Sequence, residues 1–171
     1  MKKITLWILL MLIGGQLMAQ HIKFMGIPLD GTLEEFAGKM EAKGFKKATR
    51  NCMKGTFGGY YCNLFLFSAS GQPNKKDDEI NNVRVSFSEY QNSSQDIFHN
   101  LSKWLTVKYG QYEQYSDFYI KEDNGYKACI SRVWSTPEGT ISLNYGNGVE
   151  LNYIDRIRNT DGKDNDILND I

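Results

Sequence analysis

Apolar residues recur at helical spacing in two stretches of the chain and alternate with polar ones in several others. Leu33, Phe36, Ala37 and Met40 mark one face of a first helix. Thr32 stands just before them, with Glu35 three positions on. That is a capping box, in which the hydroxyl accepts from an orphan amide and the carboxylate reaches back to another. Residues 27–31 read as the entry loop, and Gly44 supplies the left-handed residue that ends the helix. A second helix is expected from Ser93 or Ser94. Ile97, Leu101, Trp104, Leu105 and Lys108 fall on its stripe, Phe98 flanks it, and Gly110 closes it.

Strands are expected around these helices. Residues 48–54 and 60–67 read as a hairpin about Gly55, Gly58 and Gly59. The run Leu64-Phe65-Leu66-Phe67 is apolar on both faces, the mark of a central strand covered on both sides. Val83, Val85 and Phe87 alternate with Arg84 and Ser86. Residues 128–135 form a further strand carrying Trp134, and a turn follows at Thr136-Pro137-Glu138-Gly139. Ile141, Leu143 and Tyr145 alternate with polar residues, as do Val149, Leu151 and Tyr153, about an Asn147-Gly148 hairpin signal. The apolar set of these two strands shares one face, which a helix must cover.

The expected fold is therefore α+β. Two helix-plus-antiparallel-strand units, at residues 24–89 and 93–155, follow in tandem with about three strands each. The helices pack on one face of a mainly antiparallel sheet. A polar loop spans residues 71–79, and an acidic tail at 159–171 is expected to fray.

The first nineteen residues read differently. Lys2 and Lys3 precede an apolar run from Ile4 to Ile13, and Leu17-Met18-Ala19 offers a small residue at a cut. This is the pattern of a secretory signal peptide, with a run too short to span a bilayer. The expectation is a leader at 1–19 and a single exported domain at 20–171, periplasmic or secreted, with no membrane span after cleavage.

Composition narrows the function classes. The chain has 171 residues, of which 41% are hydrophobic and 23% charged, an ordinary globular make-up. Its 20 basic and 20 acidic side chains balance, and loss of Lys2 and Lys3 tips the sum towards acid. No nucleic-acid partner is expected from such a balance.

The chemistry that can be sought is mostly missing. Ser68, Ser70 and Ser131 lie outside any nucleophile elbow, and Gly58-Gly59 precede a strand rather than a helix. Glu34 and Glu35 suit cap and dipole roles. His21 is expected to be mobile near the mature start and His99 solvated, neither with a neighbour at ligand spacing. The 161–166 acidic stretch misplaces the glycine of a calcium loop. No catalytic residue, metal site or cofactor is expected. Three cysteines, Cys52, Cys62 and Cys129, leave one odd. Cys52 and Cys62 can bridge only if they oppose each other on neighbouring strands, and the alternative is three buried, inert thiols.

One stretch stands out. Tyr112, Tyr115, Phe118, Tyr119 and Tyr126 crowd a polar setting after the second helix, and Tyr60 and Tyr61 are placed to extend the same surface. Such rings bury large area at low entropic cost. They read either as a contact surface or as a connecting strand covering the second helix.

The segment Lys54-Gly55-Thr56-Phe57-Gly58-Gly59-Tyr60 follows a helix entered by Gly26-Ile27-Pro28-Leu29-Asp30-Gly31-Thr32. It precedes Lys108-Tyr109-Gly110 and Leu151-Asn152-Tyr153-Ile154-Asp155. This set resembles a family of uncharacterised exported proteins of anaerobic gut bacteria. At the level of fold, the tandem is similar to beta-lactamase-inhibitor-like proteins and small outer-membrane assembly lipoproteins, which are interaction modules. The chain lacks the lipobox of the latter. The resemblance implies the tandem fold and assigns no catalytic residue. The expected function is a non-catalytic module binding an unknown protein or envelope component. A small-ligand or glycan binder is the alternative, and a hydrolase the third reading.

Overall fold

The computed structural model describes residues 20–70, 78–87, 93–122 and 125–159. The expected leader, most of the 71–79 loop and all but the start of the tail lie outside the described residues.

The first helix, α1 (Leu33–Glu41), forms where its caps dictate. The Glu35 amide donates to Thr32 Oγ1 at 3.2 Å, and the Thr32 amide donates to Glu35 Oε2 at 2.9 Å. Gly44 adopts φ +94°, and the Phe45 amide turns back to the Met40 carbonyl. In α2 (Ser94–Tyr109), Ser93 takes the N-cap position without a side-chain cap bond. Gly110, at φ +84°, closes the helix. A short third helix, α3, spans Arg156–Asn159. Among the described residues, no helix is long and apolar enough to cross a membrane.

A small hairpin, β1 (Lys23–Phe24) with β2 (Ile27–Pro28), precedes α1. The remaining strands are β3 (Lys46–Lys47), β4 (Cys52–Phe57), β5 (Tyr60–Ser68), β6 (Ile80–Phe87), β7 (Gln114–Glu122), β8 (Gly125–Thr136), β9 (Gly139–Gly146) and β10 (Gly148–Asp155). They form one antiparallel sheet in the order β3-β4-β5-β6-β10-β9-β8-β7. α1 and α2 are thus each followed by a four-strand meander. The two meanders meet last strand to last strand, with Leu151 opposite Val85. The protein is α+β. Each half contributes four described strands to this sheet rather than about three, because the short β3 adds one in the first half and the tyrosine-rich connection is itself a strand in the second.

Register places the core. One row runs Arg132, Leu143, Leu151, Val85, Leu64, Met53 across six strands, and a parallel row runs Trp134, Ile141, Tyr153, Val83, Leu66. Apart from Arg132 these residues are buried. They form one cluster with Phe36 and Met40 of α1, Ile97, Phe98, Leu101 and Leu105 of α2, and Phe24 and Leu29 of the entry segment. The alternate positions point the other way. Cys52, Phe65, Arg84, Asn152, Ser142 and Val133 make one outward row, and none of them belongs to the cluster.

Three expectations change here. Leu64 and Leu66 are buried, but Phe65 and Phe67 on the other face are only half-buried, so β5 is not sealed on both sides. Instead the Arg84 guanidinium lies 5.1 Å from the Phe67 ring centroid, a cation covering the ring in place of a second layer. Gly55 sits inside β4 rather than in the turn. The Phe45 ring occupies the space a Cβ would need, with an atom 2.6 Å from that position. Trp104 leaves the buried stripe of α2 and is 46% exposed, laid against Gly58 at the tip of the β4–β5 hairpin.

Candidate functional site

The aromatic residues singled out in the sequence divide into two groups on either side of α2. Phe98 and Ser102, one helical turn apart, touch the first; Asn100 and Trp104 touch the second. The first centres on Arg132 of β8. Its guanidinium carbon lies 4.9 Å from the Phe98 ring centroid, 5.0 Å from Tyr112 and 5.9 Å from Tyr115. Arg132 Nη1 donates to the buried Ser102 hydroxyl, while its Nε is buried with no acceptor. Tyr112 packs edge-on against Trp134, whose indole donates to the Gly110 carbonyl at 2.9 Å. Tyr115 is half exposed, and its hydroxyl donates to the Asp117 carboxylate. That bond holds the phenol above its usual range.

The second group lies on β5. Tyr60 is half-buried between Phe87 and Trp104, and its hydroxyl accepts from Asn100 at 2.8 Å. Tyr61 is 59% exposed on the outward face. Tyr60 therefore does not extend the Arg132 group, because α2 stands between them. Phe118 and Tyr119 belong to β7 and Tyr126 to β8, with their side chains outside the described residues.

The proposed bridge is not formed. Cys52, Cys62 and Cys129 are free. In the β4–β5 hairpin Cys52 opposes Phe65 and Cys62 opposes Gly55, so the two sulfurs sit on opposite faces of the sheet. Burial pushes the Cys62 thiol up to about 12, which keeps it protonated and inert.

One constellation escaped the sequence reading. His21, expected to be mobile, is fixed by Asp155 at the end of β10. His21 Nδ1 lies 3.1 Å from Asp155 Oδ2. The same carboxylate accepts the Ile22 amide at 2.9 Å and the Ile157 amide at 2.9 Å, and it is fully buried. The imidazole lines a cavity of about 190 Å³ with Lys23, Lys108, Tyr109, Thr136 and Glu138. Tyr109 neighbours Tyr153, whose phenol is pushed well up, first by burial and then by that neighbour. Asp155 continues the inward parity of Val149, Leu151 and Tyr153, so a carboxylate at an inward position was the available signal. Its partner lies too far along the chain for spacing to reveal.

Chemically, a buried carboxylate orienting an imidazole is the arrangement of a general base. Among the described residues no serine or cysteine lines this cavity, and the Thr136 hydroxyl is engaged with Gly139 in its own turn. Among the described residues, no group of three His, Cys, Asp or Glu side chains is placed to hold a metal ion. In comparisons with known proteins the chain matches no family model, no curated protein and no solved structure.

Proposed function

We propose that this chain is an exported, non-catalytic interaction module that engages a protein partner of the cell envelope through the outward face of its sheet. One observation carries the reading: the outward rows hold aromatic and arginine anchors, and no described residue from them joins the core cluster. On this reading the two halves are tandem units, as in the family the sequence resembles, and both helices share the inner face. α1 touches β3 and β5, and α2 touches β8, β9 and β10.

The outward face is suited to recognition. Arg84 lies over Phe67 and donates Nε to Asn152 at 3.0 Å, and Asn152 donates on to Ser142 at 3.3 Å. Such anchors are held before a partner arrives, which lowers the entropy lost on binding. Phe65 and Tyr61 extend the apolar part, and the surrounding Asn63, Ser86 and Asn144 give the polar rim usual for a separable complex.

The test is capture from envelope extract with the wild-type chain and with Phe67→Glu and Arg84→Glu variants, each confirmed folded by circular dichroism. A specific protein retained by wild type and lost with both variants supports the reading. Equal recovery by all three refutes it.

A specific observation favours a second reading, a small-ligand or hydrolytic site at the His21–Asp155 cavity. It predicts a His21→Ala-sensitive thermal shift with a metabolite panel.

A further inference from the structure

At one corner of the outward face, on β3, β4 and β5, positive charge is gathered. Lys46 and Lys54 stand directly opposite each other in the β3–β4 register. Lys47, the next residue on β3, opposes Met53 and so takes the inward parity, but all three are exposed at this sheet edge. Like charges directly opposed across strands destabilise a sheet. Among the described residues, no acidic side chain pairs with any of the three. Lys39, by contrast, is paired with Asp30 at 2.8 Å. A chain whose charges balance overall has therefore concentrated cations at one spot.

That spot is concave. Lys46, Lys47, Lys54, Thr56 and Tyr61 line an open cavity of about 370 Å³, within the range of small-ligand pockets. Tyr61 opposes Thr56, and Lys54 opposes Asn63, so Tyr61, Lys54 and Lys46 share the outward face. The ring of Tyr61 is the most exposed of the described tyrosines named above. An aromatic face carries partial negative charge and attracts polarised C–H groups.

We infer that this corner is a binding site for an acidic saccharide. Its carboxylate or sulfate groups would offset Lys46 and Lys54, with Lys47 at the cavity edge, while the C–H face of a sugar ring lies on Tyr61. A nucleic-acid strand fits less well, because it needs a basic track several phosphates long and these lysines are confined to one sheet corner. Tyr61 also borders the surface of the protein-partner reading, but the inference uses none of the Phe67–Arg84–Asn152 ladder, so the Phe67→Glu and Arg84→Glu variants test that reading separately.

The test is calorimetric titration of the purified protein with tetragalacturonate, a heparin tetrasaccharide, uncharged maltotetraose and a short single-stranded DNA. Expected is binding of one or both acidic saccharides, at least tenfold tighter than maltotetraose and weakened by salt. Which of the two binds separates carboxylate from sulfate recognition. Lys54→Gln, Lys46→Gln and Tyr61→Ala should each weaken it roughly three- to tenfold. Lys39→Gln, on the paired lysine of α1, should leave it unchanged. Without ligand and at low salt, Lys54→Thr should raise the unfolding midpoint by relieving the opposed pair. The inference falls if neither acidic saccharide binds, if maltotetraose or DNA binds as well or better, if the three variants bind like wild type, or if Lys54→Thr lowers the midpoint.

Discussion

His21 Nδ1 and Asp155 Oδ2 lie 3.1 Å apart although 134 positions separate them in the chain. The contact ties the start of the described chain to the last strand of the sheet. Asp155 is the sole described acid with no exposed surface, and three donors converge on it. Burying a carboxylate is costly unless donors meet it, and removing it strands those donors instead. Asp155→Ala should therefore cost about 3 kcal/mol, and His21→Ala less than about 1 kcal/mol, because the imidazole remains partly solvated. Urea unfolding of both variants checks the order. Equal costs would show that the imidazole, not the backbone amides, carries the tie.

Gly55 and Phe45 form a second long-range fit. A methyl group at Gly55 meets the Phe45 ring at 2.6 Å, closer than real contacts allow. Gly55→Ala should cost about 1–3 kcal/mol by overpacking. Shrinking the ring in Phe45→Leu should make the same change cheaper, so the two substitutions should be non-additive in a double-mutant cycle. Additive costs would mean that the ring is free to move aside.

Alkaline pH should weaken the fold in a defined window. The Cys62 thiol, ordinarily ionising at 9.0, is pushed up to about 12 by burial. Below the lower value both folded and unfolded chains keep the proton, and stability is complete. Between the two values the unfolded chain releases a proton that the folded chain retains, so stability falls by up to about 1.4 kcal/mol per pH unit. Burial of Tyr153 acts with the same sign at still higher pH. Cys62→Ala should flatten the decline measured by urea midpoints between about pH 8 and pH 10.5. A parallel decline in wild type and variant would contradict it. Thiol titration of the unreduced protein should also count three free thiols after unfolding, with Cys62 unreactive before it.

Arg132 should not tolerate lysine. Its planar group spans Phe98, Tyr112 and Tyr115 and reaches Ser102, whereas an ammonium cannot stack in the same way. Arg132→Lys should cost about 1–2 kcal/mol. The measurement is the denaturant midpoint, with Trp134 fluorescence reporting whether Tyr112 still packs against the indole. A midpoint within error of wild type would show the stack to be incidental.

Local patterns were legible in advance because their causes are local. Thr32 and Glu35 cap α1 through amides within the same turn, and Gly44 and Gly110 close helices by adopting positive φ. The alternation in Val83–Val85–Phe87 and Val149–Leu151–Tyr153 shows directly which side faces the core. The Gln114–Glu122 strand was harder to see, because an edge strand has one pairing partner and needs no strict alternation. Trp104 has the spacing of the α2 stripe but not its burial, since the β4–β5 hairpin, and not the core, receives its ring. The candidate sites were less legible still. Tyr61 stands out as an aromatic residue in the chain, but Lys46 and Lys54 come beside it only through strand pairing.

Helix ends, strand parity and the class of fold follow from preferences acting over three or four residues, and those are written in the chain order. The joining of β6 to β10, the separation of Cys52 from Cys62, the pairing of His21 with Asp155 and the corner shared by Lys46, Lys54 and Tyr61 are of another kind. Each depends on which strands become neighbours when the apolar rows close on the helices. That choice is made by burial summed over the whole core, and no short stretch of sequence contains it.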